Sequence, residues 1–429
     1  MVEFYRETKF KEETEIGKIP VEWNVVRLGD EGIATIRRGK ANKPHDYEEV
    51  AFIAMEKIPE NDLYAEFEIK PMKDVKSFVY CEAGDILLAK ITPCFENGKQ
   101  GIVPGDVPNG FALATTEVYP IVCKGVNRFF LFYLLKMPKF RDQLKSAMRG
   151  TTGRLRVPKN AVMNLKVPLP SLEEQELIAR ILYSMDEAIQ AVDASIAKYE
   201  RLKRGLMQEL LTKGIGHKEF KETEIGRIPA NWMVMELRNV GSLTDGDWIL
   251  KEDYTDSGVR LIQIGDIGIG KFLDKSRRFI SLERAKELKC TFVRPGEDIL
   301  ISRMPDPIGR ACLAPKLPYP YIVAVDITIF RVNRDIADPN YIMYALNDHK
   351  ILRKIEKLSS GATRKRISRK NLERIKIPLP PLEEQKLIVK ILLSVDAVLE
   401  EKRKKKRKLE RMKKALMGLL LTGKVRVKA

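Results

Sequence analysis

The chain repeats itself at long range, and the repeat restricts it to folds built from two like units. Residues 168–175 read PLPSLEEQ and residues 378–385 read PLPPLEEQ. The likeness extends well beyond these eight positions. TEIGKIPVEW (14–23) matches TEIGRIPANW (223–232) at seven of ten positions. GTTGRLRVPKN (150–160) parallels GATRKRISRKN (361–371). VPLPSLEEQELIARIL (167–182) matches IPLPPLEEQKLIVKIL (377–392) at eleven of sixteen, and RGLMQELLT (204–212) parallels KALMGLLLT (414–422). A period near 210 residues is far longer than any solenoid repeat, so each copy is a domain followed by a helix. Between these landmarks, residues 24–149 and 233–360 share little beyond hits such as GDILL (84–88) and EDILI (297–301). One frame around two different bodies suggests two related domains doing one kind of job on different objects.

After each PLP the apolar residues fall at alternating spacings of three and four. Copy one gives Ile178, Ile181, Met185, Ala188, Val192, Tyr199, Leu202 and Leu206. Copy two gives Ile388, Ile391, Val395, Val398, Leu409, Met412, Leu416 and Leu419. This is a heptad seam. Ser171 with Glu174 reads as a capping box, and Pro381 suits a first helical position with Glu383 and Glu384 at the positive end of the dipole. Gly214 and Gly423 read as helix stops. Each helix should run about 40 residues, roughly 60 Å. Helix two, fed from the far end by the second body, should return antiparallel to helix one, so that each buries the other's stripe. EEKRKKKRK (400–408) sets Lys402 and Lys405 on apolar positions, which leaves two readings: a frayed, solvated segment or a basic patch facing a partner or DNA.

The internal linker KGIGHKEFKETEIG (213–226) resembles RETKFKEETEIG (6–17) in its second half and the chain's last residues in its first. The two ends should therefore lie close together in a pseudo-two-fold particle. Each body mixes short β-branched runs with turns. EVAFIAM (49–55), DILLAKI (85–91) and TEVYPIVC (116–123) read as strands in the first, and GVRLIQIGDI (258–267), EDILISRM (297–304) and AVDITIFRV (324–332) in the second. One helix follows in each: FFLFYLLKMPKFRDQL (129–144) and NYIMYALNDHKILRKIEKL (340–358). The expected class is α/β or α+β, of underived topology, in two copies with a long antiparallel helix pair.

Charge points to the partner. Lys and Arg number 77 against 59 Asp and Glu, a formal net charge of +18, and the pI is near 9.5. Such an excess suggests a polyanion, DNA or RNA first. Basic residues gather in loop-like stretches: Arg37, Arg38, Lys40 and Lys43; Lys90 and Lys99; Arg149, Arg154 and Arg156. Body two offers Lys251, Arg260, Lys271, Arg277, Arg278, Arg303 and Arg310, then Arg364, Lys365, Arg366 and Arg369. Arg suits bidentate contact with guanine, and both Arg and Lys suit phosphate. The clusters after Gly150 and Gly361 stand at equivalent places and are the best candidates.

Catalytic patterns fail. GDIGIGKF (265–272) fits a phosphate loop except that Phe272 stands where Ser or Thr must hold magnesium. Glu68 and Lys70 give a nuclease-like carboxylate–lysine pair that alternates on a strand face as readily as it catalyses. The five scattered cysteines and three histidines offer no metal set, and no cofactor is called for. No apolar run approaches the ~18 residues of a membrane helix, and MVEFYRETKFKEE lacks a signal-peptide core, so a cytoplasmic protein is expected.

The tandem TEIGxIPxxW, Gly-Thr and PLPxLEEQ segments, with LLTxG ending each helix, resemble the specificity subunit of type I restriction–modification systems over essentially the whole chain. The resemblance implies two target recognition domains reading halves of a split, asymmetric DNA sequence. It implies a helical spacer that fixes the gap and carries two modification (methyltransferase) subunits, and through them restriction subunits, which hold the catalysis. It divides the chain into a first recognition domain (1–157), a spacer with the first helix (158–215), a second recognition domain (216–367) and a spacer with the second helix (368–429). The residue-level rivals are a self-contained nuclease at Glu68 and Lys70, and a coiled-coil scaffold.

Overall fold

The computed structural model describes residues 3–12, 14–37, 46–151, 153–361 and 364–428. They form two compact units, residues 1–195 with 403–429 and residues 196–402. In the first unit, one antiparallel sheet has the order Gln100–Ile102, Ile86–Ala89, Val118–Cys123, Ala34–Ile36. A second sheet has the order Glu68–Pro71, Glu49–Ile53, Phe111–Ala114, Val79–Glu82, with its middle pair parallel. The second unit repeats the antiparallel sheet despite its divergent sequence and varies the mixed one. Gly241–Asp245, Ile327–Val332, Ile299–Ser302 and Ala311–Leu313 form the antiparallel sheet. Tyr254–Thr255, Phe279–Ile280, Val259–Ile262 and Tyr321–Val323 form the mixed one, whose parallel pair is the last two strands, with Tyr321–Val323 at the sheet's edge.

GDILL and EDILI survive as a matching pair because their strand is buried on both faces. Ile86 and Leu88 join the core under the helices while Leu87 joins the core between the sheets. Ile299 and Ile301, against Leu300, do the same in the second unit. A strand covered on both sides tolerates only continuous apolar sequence.

The helix expected after each body is two helices. Arg128–Lys136 stops at Met137, and Pro138 opens Pro138–Ser146, where its missing N–H costs nothing. Pro339–Leu346 gives way to His349–Lys357, whose start is capped by Asp348.

The repeated motifs close each body at its base. Asn24–Arg27 pairs antiparallel with Lys166–Leu169, and Met233–Glu236 with Lys376–Leu379. So the residues after TEIGxIPxxW and those of PLP are strand partners, some 140 positions apart in sequence. Each PLP then opens a 39-residue helix, Leu172–Leu210 or Leu382–Leu420.

Glu174 does not complete the expected capping box. Ser171 Oγ accepts from its N–H, but its carboxylate takes Trp23 Nε1 at 3.0 Å. Glu384 likewise takes Trp232 Nε1 at 3.0 Å. Both indoles are fully buried and need an acceptor. Each also meets the end of the other helix. A side chain at Gly423 (φ +70°) would stand 2.3 Å from Pro20 and 3.2 Å from the Trp23 ring, and one at Gly214 (φ +66°) would stand 2.7 Å from the Trp232 ring. These stops need glycine both for the left-handed backbone and for the close approach. The neighbouring glutamines tie the helix start to the body: Gln175 accepts from Asn127 N–H at 2.8 Å, and Gln385 from Asp338 N–H at 2.9 Å. Asn127 and Asp338 in turn cap the body helices.

The helices lie antiparallel within each unit. In the first, Asp186 accepts from Lys413, and Asp193 pairs with Lys406 at 2.7 Å. In the second, Asp396 accepts from Lys203 at 2.6 Å, and Lys402 lies over the Tyr199 ring at 5.3 Å. A body tyrosine joins each Asp–Lys pair: Tyr133 donates to Asp186 and Tyr344 to Asp396, both at 2.6 Å.

The predicted seam is only partly the buried row. Ile178, Val192, Ile388 and Val395 are buried, and Ile181, Met185, Ala188, Tyr199, Leu206, Val398, Leu409 and Leu416 are half-buried. Leu202, Ile391, Met412 and Leu419 are exposed, while Leu182, Leu392 and Leu399 are buried in their stead. Each helix buries its opening turns against its body as well as its partner, so the covered face is wider than a two-helix seam. Of the basic run, Lys402 and Lys406 are held by Tyr199 and Asp193, whereas Lys405 is exposed.

At the chain ends, Glu3–Arg6 pairs antiparallel with Val425–Lys428. Arg426, in the closing strand, grips Glu174 through Nε (2.6 Å) and Nη2 (2.9 Å), and also meets Glu7 and Glu22. Burial works against its charge, but these carboxylates outweigh it and hold the guanidinium well above its ordinary pKa. In the second unit the internal linker supplies His217, 2.7 Å from Glu384, where Arg426 stands in the first.

Candidate nucleic-acid interface

The Gly-Thr segments are hairpins. Arg149–Thr151 pairs with Arg154–Arg156, and Ser360 exchanges backbone hydrogen bonds with Arg366 at 3.0 and 2.8 Å. Gly150 (φ +139°) and Gly361 (φ +112°) are required: an added Cβ would stand 2.6 Å from the Arg154 carbonyl or 2.5 Å from that of Arg364. Each hairpin is tied to the end of the doubly buried strand. Val157 N–H donates to Lys90 O at 2.8 Å, and Ile367 N–H to Arg303 O at 3.1 Å. Lys90 and Arg303 are thus equivalent, and a basic hairpin beside a basic strand end recurs in both units.

The other predicted basic residues divide by their partners. Arg149, Arg154, Lys251, Lys271 and Arg364 are exposed with no acidic partner among the described residues. Arg278 is exposed, over the Tyr254 ring and donating to its hydroxyl at 3.0 Å. Arg156 is paired with Glu117 (2.8 Å), Arg277 with Asp274, Lys365 with Glu356 (3.7 Å), Arg366 with Asp326 (2.9 Å) and Arg369 with Glu373 (3.2 Å), all at the surface. Lys90 lies half-buried over the Tyr119 ring, and burial lowers its pKa. Lys99 donates to Met55 O at 2.7 Å. Arg303 is buried, 3.2 Å from Asp245.

Three expected contacts are structural instead. Arg37 is spent on Asp85 (2.7 Å) and Glu82 (2.9 Å). Arg260 is wholly buried, donating to Asp274, Ser276 O and Tyr319. Arg310 is buried and gives four hydrogen bonds to carbonyls of Ile264, Ile267, Met304 and Pro307. A guanidinium enclosed this way leaves nothing for phosphate. Arg38, Lys40 and Lys43 lie outside the described residues.

Glu68 and Lys70 pair with each other at 2.7 Å on their strand, and no group of three metal-binding side chains occurs among the described residues. GDIGIGKF is a tight turn in which Gly268 N–H meets Lys271 O and Ile267 bridges Phe272; no helix follows it. Among the described residues no helix is long and apolar enough to cross a membrane. Sequence reading passed over Trp248, which is 71% exposed in the loop after the Gly241–Asp245 strand; an aromatic inside the turn-rich DGDWIL carried the only signal.

Comparison with known proteins agrees with this architecture. The profile of the family described as the type I restriction modification DNA specificity domain matches residues 20–200 and again 229–411. The chain is 31% identical to the type I restriction enzyme MjaVIII specificity subunit of Methanocaldococcus jannaschii, over 100% of this chain and 98% of that one. It is 35% identical to a second protein of that organism, assigned as the MjaX specificity subunit, over 100% and 99%. A crystal structure of the type I restriction-modification system S subunit from M. genitalium superposes with a TM-score of 0.57 at 14% identity, covering 93% of this chain and 96% of that one. A chain from a structure on complex assembly and conformational transition of the type I R-M system gives 0.56 at 21% identity, covering 95% and 99%. This chain belongs to the type I restriction–modification DNA specificity family and carries the family's domain twice.

Proposed function

We propose that the chain is the DNA sequence-recognition subunit of a type I restriction–modification complex and is itself non-catalytic. Residues 1–157 and 216–367 act as the two target recognition domains, each reading one half of a bipartite, asymmetric site. Residues 158–215 and 368–429 form the helical spacer that sets the gap and docks two modification subunits, which in turn bring restriction subunits. The complex works in the cytoplasm.

One observation carries this reading: the same basic hairpin recurs on the same scaffold in both units, with different side chains on each. Arg149 and Arg154, or Arg364 with its neighbours, neutralise phosphates and supply salt-sensitive, sequence-blind affinity. Loop side chains that differ between the bodies read base edges. The helical spacer sets the separation of the half-sites near one helical turn.

Methylome sequencing of cells carrying the system tests the proposal. Two unlike half-sequences separated by a fixed unspecified gap are expected. An uninterrupted or palindromic motif would overturn it.

A further inference from the structure

We propose that Trp248 is an apolar base-contacting residue of the second unit, placed on a fixed loop to read the second half-site. The inference rests on the recognition reading above and assigns part of it to one side chain.

The chain has three tryptophans. Trp23 and Trp232 are fully buried in the equivalent contacts with Glu174 and Glu384, whereas Trp248 has no such frame role and is 71% exposed. Its loop is nevertheless anchored. Gly246 N–H donates to Ile327 O and Asp247 N–H to Val323 O, both at 2.8 Å. The Asp247 carboxylate accepts from Thr291 N–H at 3.0 Å, and Ile249 packs into the adjacent core. Trp248 and Leu250 therefore point outward from a segment pinned on both sides, followed by the exposed Lys251. A rigid exposed aromatic loses little conformational entropy on binding.

The surroundings specify a polyanion. Asp245, three residues earlier and within about 10 Å of chain, pairs with Arg303 (3.2 Å) and Arg369 (3.9 Å). The turn beside Asp247 carries Val325, whose carbonyl accepts from both Arg303 and Arg366. So the ring stands next to the hairpin assigned to phosphate contact. The strand before it, Gly241–Asp245, matches Ala34–Ile36 in the first unit, each flanking the long central strand of its sheet. Apolar contact to a base edge, flanked by cations on the backbone, is how a groove-reading loop combines specificity with affinity. Arg303 is buried against Asp245, so the cations left for a nucleic-acid backbone are the exposed Lys251 that follows the ring and Arg364 of the hairpin.

The test uses the full chain with its modification subunits, carrying Trp248→Ala or Trp248→Phe, and reads both the methylome and binding to a duplex bearing the native motif. Trp248→Ala should relax one position of a single half-site and weaken binding roughly ten-fold, the size of one lost base contact. The other half and the gap should stay unchanged, and Trp248→Phe should retain the native motif. An unchanged motif and affinity in Trp248→Ala overturns the inference, as does loss of assembly with modification subunits, which would assign the ring to a protein contact. If the wild-type complex methylates no split motif at all, the recognition reading itself falls and takes this one with it.

Discussion

The two copies of the Trp–Glu contact differ in their third member, and that difference predicts unequal sensitivity to one conservative change. Glu174→Gln keeps an acceptor for Trp23 but removes the charge facing Arg426. Both side chains are 6% exposed, and two bonds of 2.6 and 2.9 Å are at stake. Breaking a buried ion pair costs about 3–5 kcal/mol. Glu7 remains 2.7 Å from Arg426, so the low end, about 3 kcal/mol, is expected. In Glu384→Gln the amide oxygen still accepts from Trp232 and the amide N–H can donate to the His217 ring nitrogen, so only the exposed Ile215 N–H loses its partner, and the change should cost about 1 kcal/mol or less. With a urea m-value of about 3 kcal/mol per M, the first change lowers the midpoint of its unit by about 1 M and the second by a third of that. Hydrogen-exchange mass spectrometry across a urea series, on peptides spanning residues 16–28 and 225–237, reads the two sites separately. Equal shifts, or a larger one for Glu384→Gln, would refute the assignment of Arg426 as the charged clasp of the first unit.

Two further outcomes follow from charge. Burial raises the pKa of Asp247 to about 6 from its ordinary 3.8, so between those values the folded chain holds a proton that the unfolded chain releases. Stability gained there increases as pH falls from 7 toward 4. Asp247→Asn should abolish that rise and stabilise the second unit at pH 7 by about 1–2 kcal/mol, reduced from the full shift because the group is part-exposed; melting curves at pH 5 and 7 check it. Removing Arg364, Lys365 and Arg366 together should weaken DNA binding and flatten the log–log salt slope by about 1–2, since two of the three are already engaged with Glu356 and Asp326. An unchanged slope in anisotropy titrations would count against the hairpin.

Much of the frame was legible because duplication prints it twice. PLPxLEEQ, the long helices and their glycine stops follow from local spacing and caps. What those residues do was not legible. Trp23 meets Glu174 across 151 positions and Arg426 meets it across 252, and nothing local marks either pair. The topology of the bodies escaped for the opposite reason. Sheet order depends on which faces are buried, so two sequences with few identities hold the same antiparallel sheet. The basic residues were legible as a population but not singly. Arg260 and Arg310 look like Arg154 in sequence and differ only in acids and carbonyls brought in from elsewhere in the fold. The single helix read through Met137 failed at a proline that opens a helix as readily as it ends one.

The central claim is a division of labour between two separate readers on one frame. Replacing residues 24–149 with the corresponding body of a relative, and sequencing the methylome of cells expressing the hybrid with the native modification subunits, tests it most directly. The account predicts that one half-sequence changes while the other half and the gap persist. A hybrid that alters both halves, or neither, while still methylating DNA would contradict it.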